Sequence, residues 1–207
     1  MKKFLRIVLL SAGLLIQTGC MTAPLGQGTS ARSLGSGKLS FDTNINIYYD
    51  PNRDQGTYFP NVQLGYGLND NLDFLVRTEL ETATLIPKYS FINASEGFSW
   101  AGEVGLSFIG GRTSYMIGTL ISAKLRSWEP YLGLRYNVVN FDSTQIDTTY
   151  FQMPPDLRFT FFSAIPGFHY WLTPVTAAGA EMVLLPPSDT VQFKRQQLYT
   201  VQFKFLF

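Results

Sequence analysis

From residue 38 to residue 207, apolar residues fall on alternate positions in segment after segment, and no stretch carries a convincing helical period. In "KLSFDTNINIYYD", Leu39, Phe41, Ile45, Ile47 and Tyr49 share one side, with Ser40, Asp42, Asn44 and Asn46 on the other. A period of two places successive side chains on opposite faces of an extended strand. The chain must therefore build sheet with one apolar and one polar face. The pattern continues through "YFPNVQLGYGL", "LDFLVRTEL", "TLIPKYSFI", "FSWAGEVGLSFIG", "YMIGTLISAKLR", "PYLGLRYNVVNF", "LRFTFFSAIPGFHYWL", "VTAAGAEMVLL" and "RQQLYTVQFKFLF", which makes about ten predicted strands.

The connections alternate in character. Short turns are predicted at 69–71, 93–97, 127–129 and 173–174. Between them lie the longer or more polar "DPNRDQGT", "ETAT", "GGRTS", "DSTQIDTTYFQMPPD" and "PPSDTVQFK". An up-and-down antiparallel barrel with an even strand count collects its short turns and both chain ends at one rim. That is the sidedness of transmembrane barrels of the bacterial outer membrane, with short periplasmic turns and longer external loops.

Alternation alone leaves open which face points inward. A lipocalin-like cup holding an apolar ligand would turn the apolar face in, whereas a membrane barrel turns it out. Parity puts charges of both signs on the polar face: Asp42, Asp73, Arg77, Glu79, Lys88, Glu103, Lys124, Arg135, Arg158, Glu181 and Lys204. A narrow lumen can pair such charges, but at the lipid midplane each would cost about 2–4 kcal/mol. The same face carries Gly65, Gly67, Gly105, Gly118 and Gly133, which suit a crowded interior. Tyr48, Tyr49, Tyr58, Tyr89, Trp100, Tyr115, Trp128, Tyr136, Tyr170, Trp171 and Tyr199 gather near strand ends, where interfacial girdles lie. Only 15% of the chain is charged, against about 25% in ordinary soluble domains, and 15% is aromatic. These features favour an outward apolar face.

The final strand, "LYTVQFKFLF", resembles the C-terminal signature of outer-membrane β-barrel proteins, in which alternating aromatic and apolar residues end on Phe. The resemblance implies that Tyr199, Val201, Phe203, Phe205 and Phe207 are read by the barrel assembly machinery. It also implies that this strand closes the barrel against the first, with Gln202 and Lys204 in the lumen.

At the other end, Lys2, Lys3 and Arg6 precede an apolar run at 7–16, too short to span a bilayer. The run leads to "LLIQTGCM", with Gly19 before Cys20, the only cysteine. This resembles the lipobox of bacterial lipoproteins, with Gln17 where that family usually has Leu. The resemblance implies cleavage and acylation at Cys20 by lipoprotein-processing enzymes, with a palmitate-type anchor in the periplasmic side of the outer membrane. The alternative is an ordinary cleaved signal, whose small-residue cut would follow Ala23, directly before Pro24. Residues 21–37, "MTAPLGQGTSARSLGSG", lack either apolar period and read as a flexible tether. The expected organisation is a signal peptide at 1–19, a lipidated cysteine and tether at 20–37, and the barrel at 38–207.

Once Lys2, Lys3 and Arg6 are removed, acidic and basic residues nearly balance, which gives no support to a nucleic-acid partner. His169 is the only histidine. Lipid A deacylases carry a Ser two residues beyond their His, where this chain has Trp171, and omptin-type proteases place acidic partners beside theirs, where it has Phe168 and Tyr170. His169 is therefore expected in the aromatic girdle, and no nucleophile–base pair, metal site or cofactor site is read. Asp142, Asp147 and Asp156 have no calcium-loop spacing. The loop at 142–156, with Tyr150, Phe151 and Met153, is the leading candidate for an external contact. The expected function is a non-enzymatic barrel with a structural, envelope-integrity or surface-contact role. A narrow channel and the periplasmic ligand cup are the alternatives.

Overall fold

A computed structural model describes residues 27–50, 55–79, 82–109, 112–142, 156–184 and 197–207. Ten strands follow one another in chain order: β1 (Leu39–Asp50), β2 (Gln55–Gly67), β3 (Leu72–Glu79), β4 (Thr82–Ile92), β5 (Gly97–Ile109), β6 (Arg112–Lys124), β7 (Trp128–Asp142), β8 (Asp156–Thr173), β9 (Thr176–Leu184) and β10 (Gln197–Leu206). Each pairs antiparallel with its sequence neighbours, and β1 pairs with β10, so the sheet closes on itself as an up-and-down barrel. Closure removes both sheet edges, and with them the exposed edge that the C-terminal strand would otherwise present. The seam runs from Ser40 opposite Leu206 to Tyr49 opposite Gln197. Reciprocal main-chain bonds finish it: Leu39 N donates to Phe207 O at 3.0 Å, and Phe207 N to Leu39 O at 2.9 Å.

Four short turns and the 37/207 end of the seam share one rim, as the alternation of connections predicts. The connections at the other rim, 51–54, 80–81, 110–111, 143–155 and 185–196, lie outside the described residues. Three of these are much shorter than the sequence suggested. Pairing runs on to Asp50 opposite Gln55, to Glu79 opposite Thr82 and to Ile109 opposite Arg112, so polar residues expected in loops extend the strands instead.

The apolar face points outward. Leu39, Phe41, Ile45, Phe74, Val104, Leu106, Ile117, Val201 and Phe203 are exposed, while Asp42, Gln63, Arg77, Lys88, Glu103, Arg135 and Gln202 are buried. This is the reverse of a soluble protein's distribution and is not the lining of an apolar-ligand cup. Aromatic rings pack on the outside near the short-turn rim, Phe91 with Tyr89 and Trp100, and Trp128 with Phe168 and Tyr170.

Strand β8 corrects three placements. Arg158 is exposed on the outward parity of Thr160 and Phe162, and it donates to the outward Tyr115 Oη at 2.9 Å. It is not a lumen charge. His169 and Trp171 take the inward parity, with His169 buried, so neither belongs to the girdle. Both faces of "LRFTFFSAIPGFHYWL" are rich in apolar residues, and its polarity pattern cannot fix which parity faces lipid.

Candidate functional site: a plugged lumen

The lumen is occupied by the chain's own N-terminal segment. Residues 27–37, expected to be part of a flexible tether, enter at the short-turn rim and run inside the wall. Gln27, Thr29, Ser30, Ala31 and Leu34 are all buried. The segment has no strand partner, so its peptide groups must find other partners or lose stability. Charged side chains of the wall supply them at three levels.

At the mouth, Gly37 N donates to Gly67 O at 2.9 Å and Lys38 N to Gly35 O at 3.2 Å. Asp73 accepts from Ser33 Oγ at 2.7 Å and from Leu34 N at 3.0 Å. Arg32 forms a two-pronged pair with Glu129, 2.8 Å from Nε and 3.0 Å from Nη2. Trp171 Nε1 donates to the same carboxylate at 2.8 Å, and Lys124 Nζ lies 4.9 Å from the Trp171 ring centroid.

One level further in, the Lys88 ammonium donates to Ser30 O at 3.0 Å and Arg32 O at 2.7 Å, and it is paired with Asp73 Oδ2 at 3.1 Å. Ser90 Oγ donates to Ala31 O at 2.7 Å. Apolar side chains dock alongside: Leu34 joins a cluster with Leu75, Ile86 and Met116, and Ala31 joins Ala101 and Leu120.

At mid-height, Glu181 accepts from Gln27 N at 2.8 Å and Gly28 N at 3.1 Å. Arg77 Nη2 donates to Gln27 O, and Gln27 Nε2 donates to Glu103 Oε2 at 3.1 Å. The wall groups are themselves cross-linked. Arg135 Nε meets Glu103 Oε1 at 2.6 Å, Tyr131 Oη donates to Glu181 Oε2 at 2.7 Å, and Gln202 Nε2 donates to the same oxygen at 3.0 Å. Gln63 accepts from Arg77 Nε at 3.0 Å and donates to Asp42 Oδ2 at 3.1 Å. Lys204 reaches Asp42 Oδ1 at 3.6 Å across the β1–β10 seam, and Glu79 lies 3.9 Å from Arg77 Nη1. His169 Nε2 is 3.1 Å from Gln202 Oε1, with its ring 5.0 Å from that of Tyr131.

Backbone approach this close needs glycine. Gly28 has φ of +62°, and a Cβ there would sit 3.0 Å from Arg77 Nη2. On the wall, a Cβ at Gly67 would come within 1.9 Å of Gly35 O.

Of the charges assigned to the lumen, Asp42, Asp73, Arg77, Glu79, Lys88, Glu103, Arg135, Glu181 and Lys204 are buried there. Lys124 is half-buried at the mouth, and Arg158 lies outside. Sequence reasoning missed Glu129, Tyr131 and the plug itself. Cys20, the signal peptide and Tyr150, Phe151 and Met153 lie outside the described residues. Among the described residues no group of three His, Cys, Asp or Glu side chains is placed to hold a metal ion.

No protein-family model matches the sequence, and no curated protein matches it. Among solved structures, the chain is similar to the NanC porin, with a TM-score of 0.53 at 9% identity over 80% of this chain and 98% of that one. It is also similar to the KdgM porin in complex with disordered oligogalacturonate, at 0.47 and 10% over 80% and 98%. The N-terminal β-barrel domain of Pseudomonas aeruginosa OprF gives 0.40 and 14% over 84% and 99%. At 9% identity the likeness to the NanC porin is one of fold alone.

Proposed function

We propose that this chain is an outer-membrane β-barrel lipoprotein, acylated at Cys20, whose lumen is closed by its own N-terminal segment. It acts as a non-enzymatic structural or surface barrel that contributes to envelope integrity or external contact. One observation carries the reading: Asp73, Arg77, Lys88 and Glu181 of the wall bind main-chain groups of residues 27–34, while the outer face of the described strands is largely apolar. A lumen used to bind or pass a solute would keep such groups free. A single histidine bonded to Gln202, with Tyr131 against its ring, offers no nucleophile–base pair.

The test is outer-membrane fractionation combined with gel migration before and after boiling. The folded protein is expected in the outer membrane, resistant to unboiled detergent and shifted on boiling. Release with the soluble periplasm and unchanged migration would sink the reading. A narrow channel is the second reading, favoured by the fold shared with the NanC porin, and it requires residues 27–34 to leave the lumen.

A further inference from the structure

Arg158 breaks the rule that the outer face otherwise follows, because it puts a charge on the outward parity of β8. Its Nη2 donates to Tyr115 Oη on β6 at 2.9 Å, so the side chain passes over β7, the strand between them. Val138 of β7 lies opposite both Tyr115 and Thr160, beneath this bridge. It takes the outward parity and is nonetheless only 3% exposed. Asn140 lies opposite Arg158, and its Nδ2 donates to Thr113 O at 2.7 Å, just past the end of the β6–β7 pairing at Tyr115. The Asn140 N–H goes to Ser114 Oγ at 3.0 Å. Side chains thus take over from the ladder here and fix a polar patch on a largely apolar surface.

We propose that this patch binds the phosphate of an anionic lipid headgroup in the outer leaflet, at the rim that carries the longest connections, 143–155 and 185–196. The inference rests on the membrane-barrel reading above, and three arguments support it. The first is height. Arg158 lies twelve residues from Tyr170 on β8, and their partners on β7, Asn140 and Trp128, are equally far apart. Twelve residues of a strand tilted near 40° rise about 30 Å along the barrel axis. Trp128 and Tyr170 pack together at the short-turn rim, and the apolar band of a membrane barrel is about 25 Å tall. Arg158 therefore stands just beyond the far edge of that band, at headgroup height.

The second argument is charge. The described outward side chains around Arg158 are Thr113, Tyr115, Tyr136, Asn140, Thr160 and Phe162, and none is acidic. Among the described residues no carboxylate lies within ion-pair distance of its guanidinium. A cation held there is complementary to an anion supplied by the membrane. The third argument is shape. A guanidinium carries five N–H donors in a planar fork, of which Tyr115 takes one, and the rest can engage two oxygens of one phosphate. Toward the midplane, Phe162 and Leu134 are exposed, with Phe162 packed on Tyr136 at 5.0 Å between ring centroids. The acyl chains of a bound lipid would lie on that apolar surface while its phosphate meets Arg158, a gain that free phosphate lacks.

The test is native mass spectrometry of the full-length protein in uncharged detergent, with lipid A as the phosphate-bearing probe and dephosphorylated lipid A as its control. Arg158→Gln is compared with the wild type and with Arg126→Gln, which removes an exposed arginine from the turn before β7 at the opposite rim. Each protein is first shown to shift on boiling. The wild type and Arg126→Gln are expected to retain lipid A alike, and Arg158→Gln about tenfold more weakly. Dephosphorylated lipid A is expected to bind the wild type no better than lipid A binds Arg158→Gln. Should Arg158→Gln fail to shift, Arg158→Lys takes its place, keeping the charge without the fork, and is expected to bind more weakly than the wild type. Wild-type retention by the Arg158 variant, equal retention of the dephosphorylated lipid, or an equal loss in Arg126→Gln would overturn the inference and leave the barrel reading standing. Binding of inorganic phosphate at the same concentrations would do the same, since it needs no lipid. A wild-type protein that does not shift on boiling and is released in soluble form would overturn both.

Discussion

The Glu181 carboxylate on β9 accepts the main-chain N–H of Gln27 at 2.8 Å, across 154 positions of sequence. It is also held by Gly28, Tyr131 and Gln202, so one buried anion organises the inner end of the plug. Glu181→Gln keeps the shape but loses the charge, and hydrogen bonds to a charged group contribute about 1.5–3 kcal/mol each. The expected outcome is destabilisation by about 3 kcal/mol, read as a lower unfolding midpoint in urea. An unchanged midpoint would mean that the plug is not held at this level.

Arg135 and Glu103 form a buried pair at 2.6 Å, and Glu103 also accepts from Gln27. Arg135→Met leaves that carboxylate uncompensated, a loss expected to cost about 3–5 kcal/mol. Adding Glu103→Leu removes the stranded charge and is expected to restore part of the loss. A double variant as unstable as the sum of the singles would show that the two groups act independently.

The outward face can be tested by depth. Ile117, 60% exposed at mid-height of β6, pairs with Val104 and Tyr136 on the neighbouring strands. Ile117→Arg is expected to cost about 2–4 kcal/mol, and Leu125→Arg at the short-turn rim about 0–1 kcal/mol. Equal effects at the two positions would argue that this face does not meet lipid.

Much of the wall was legible because its period of two reports directly on which neighbours a side chain meets. Asp42 and Lys204 sit on the polar parity of β1 and β10, and the seam brings them opposite each other. The turns read at 69–71 and 93–97 likewise follow from local Asn, Asp and Gly. The plug was not legible. "QGTSARSLG" is small and polar because it threads between wall side chains, and that composition is also that of a linker. Its partners, Asp73, Lys88, Glu103 and Glu181, lie dozens of residues away, and no local signal joins them. One clue did exist: Gly65, Gly67 and Gly133 all face inward, and a Cβ at each would strike Leu34, Gly35 or Gln27. In β8 the failure was different, since apolar residues on both parities hid the inward turn of His169 and Trp171.

Phe207 closes the seam through two main-chain bonds with Leu39, and its own side chain is 75% exposed. Deleting Phe207 removes both bonds and the terminal aromatic that the assembly machinery is expected to read. Reduced outer-membrane accumulation in cells is expected, together with a raised envelope-stress response. Wild-type accumulation would refute a role for this residue in assembly.

The most direct test of a barrel closed by its own N-terminal segment is single-channel conductance in planar lipid bilayers. Purified full-length protein is compared with a variant lacking residues 28–34, each first shown to shift on boiling. The barrel's strand pairing does not involve those residues. The full-length protein is expected to be silent, and the shortened one to conduct in discrete steps. Steady conductance from the full-length protein, or silence from a correctly folded shortened one, would contradict the account.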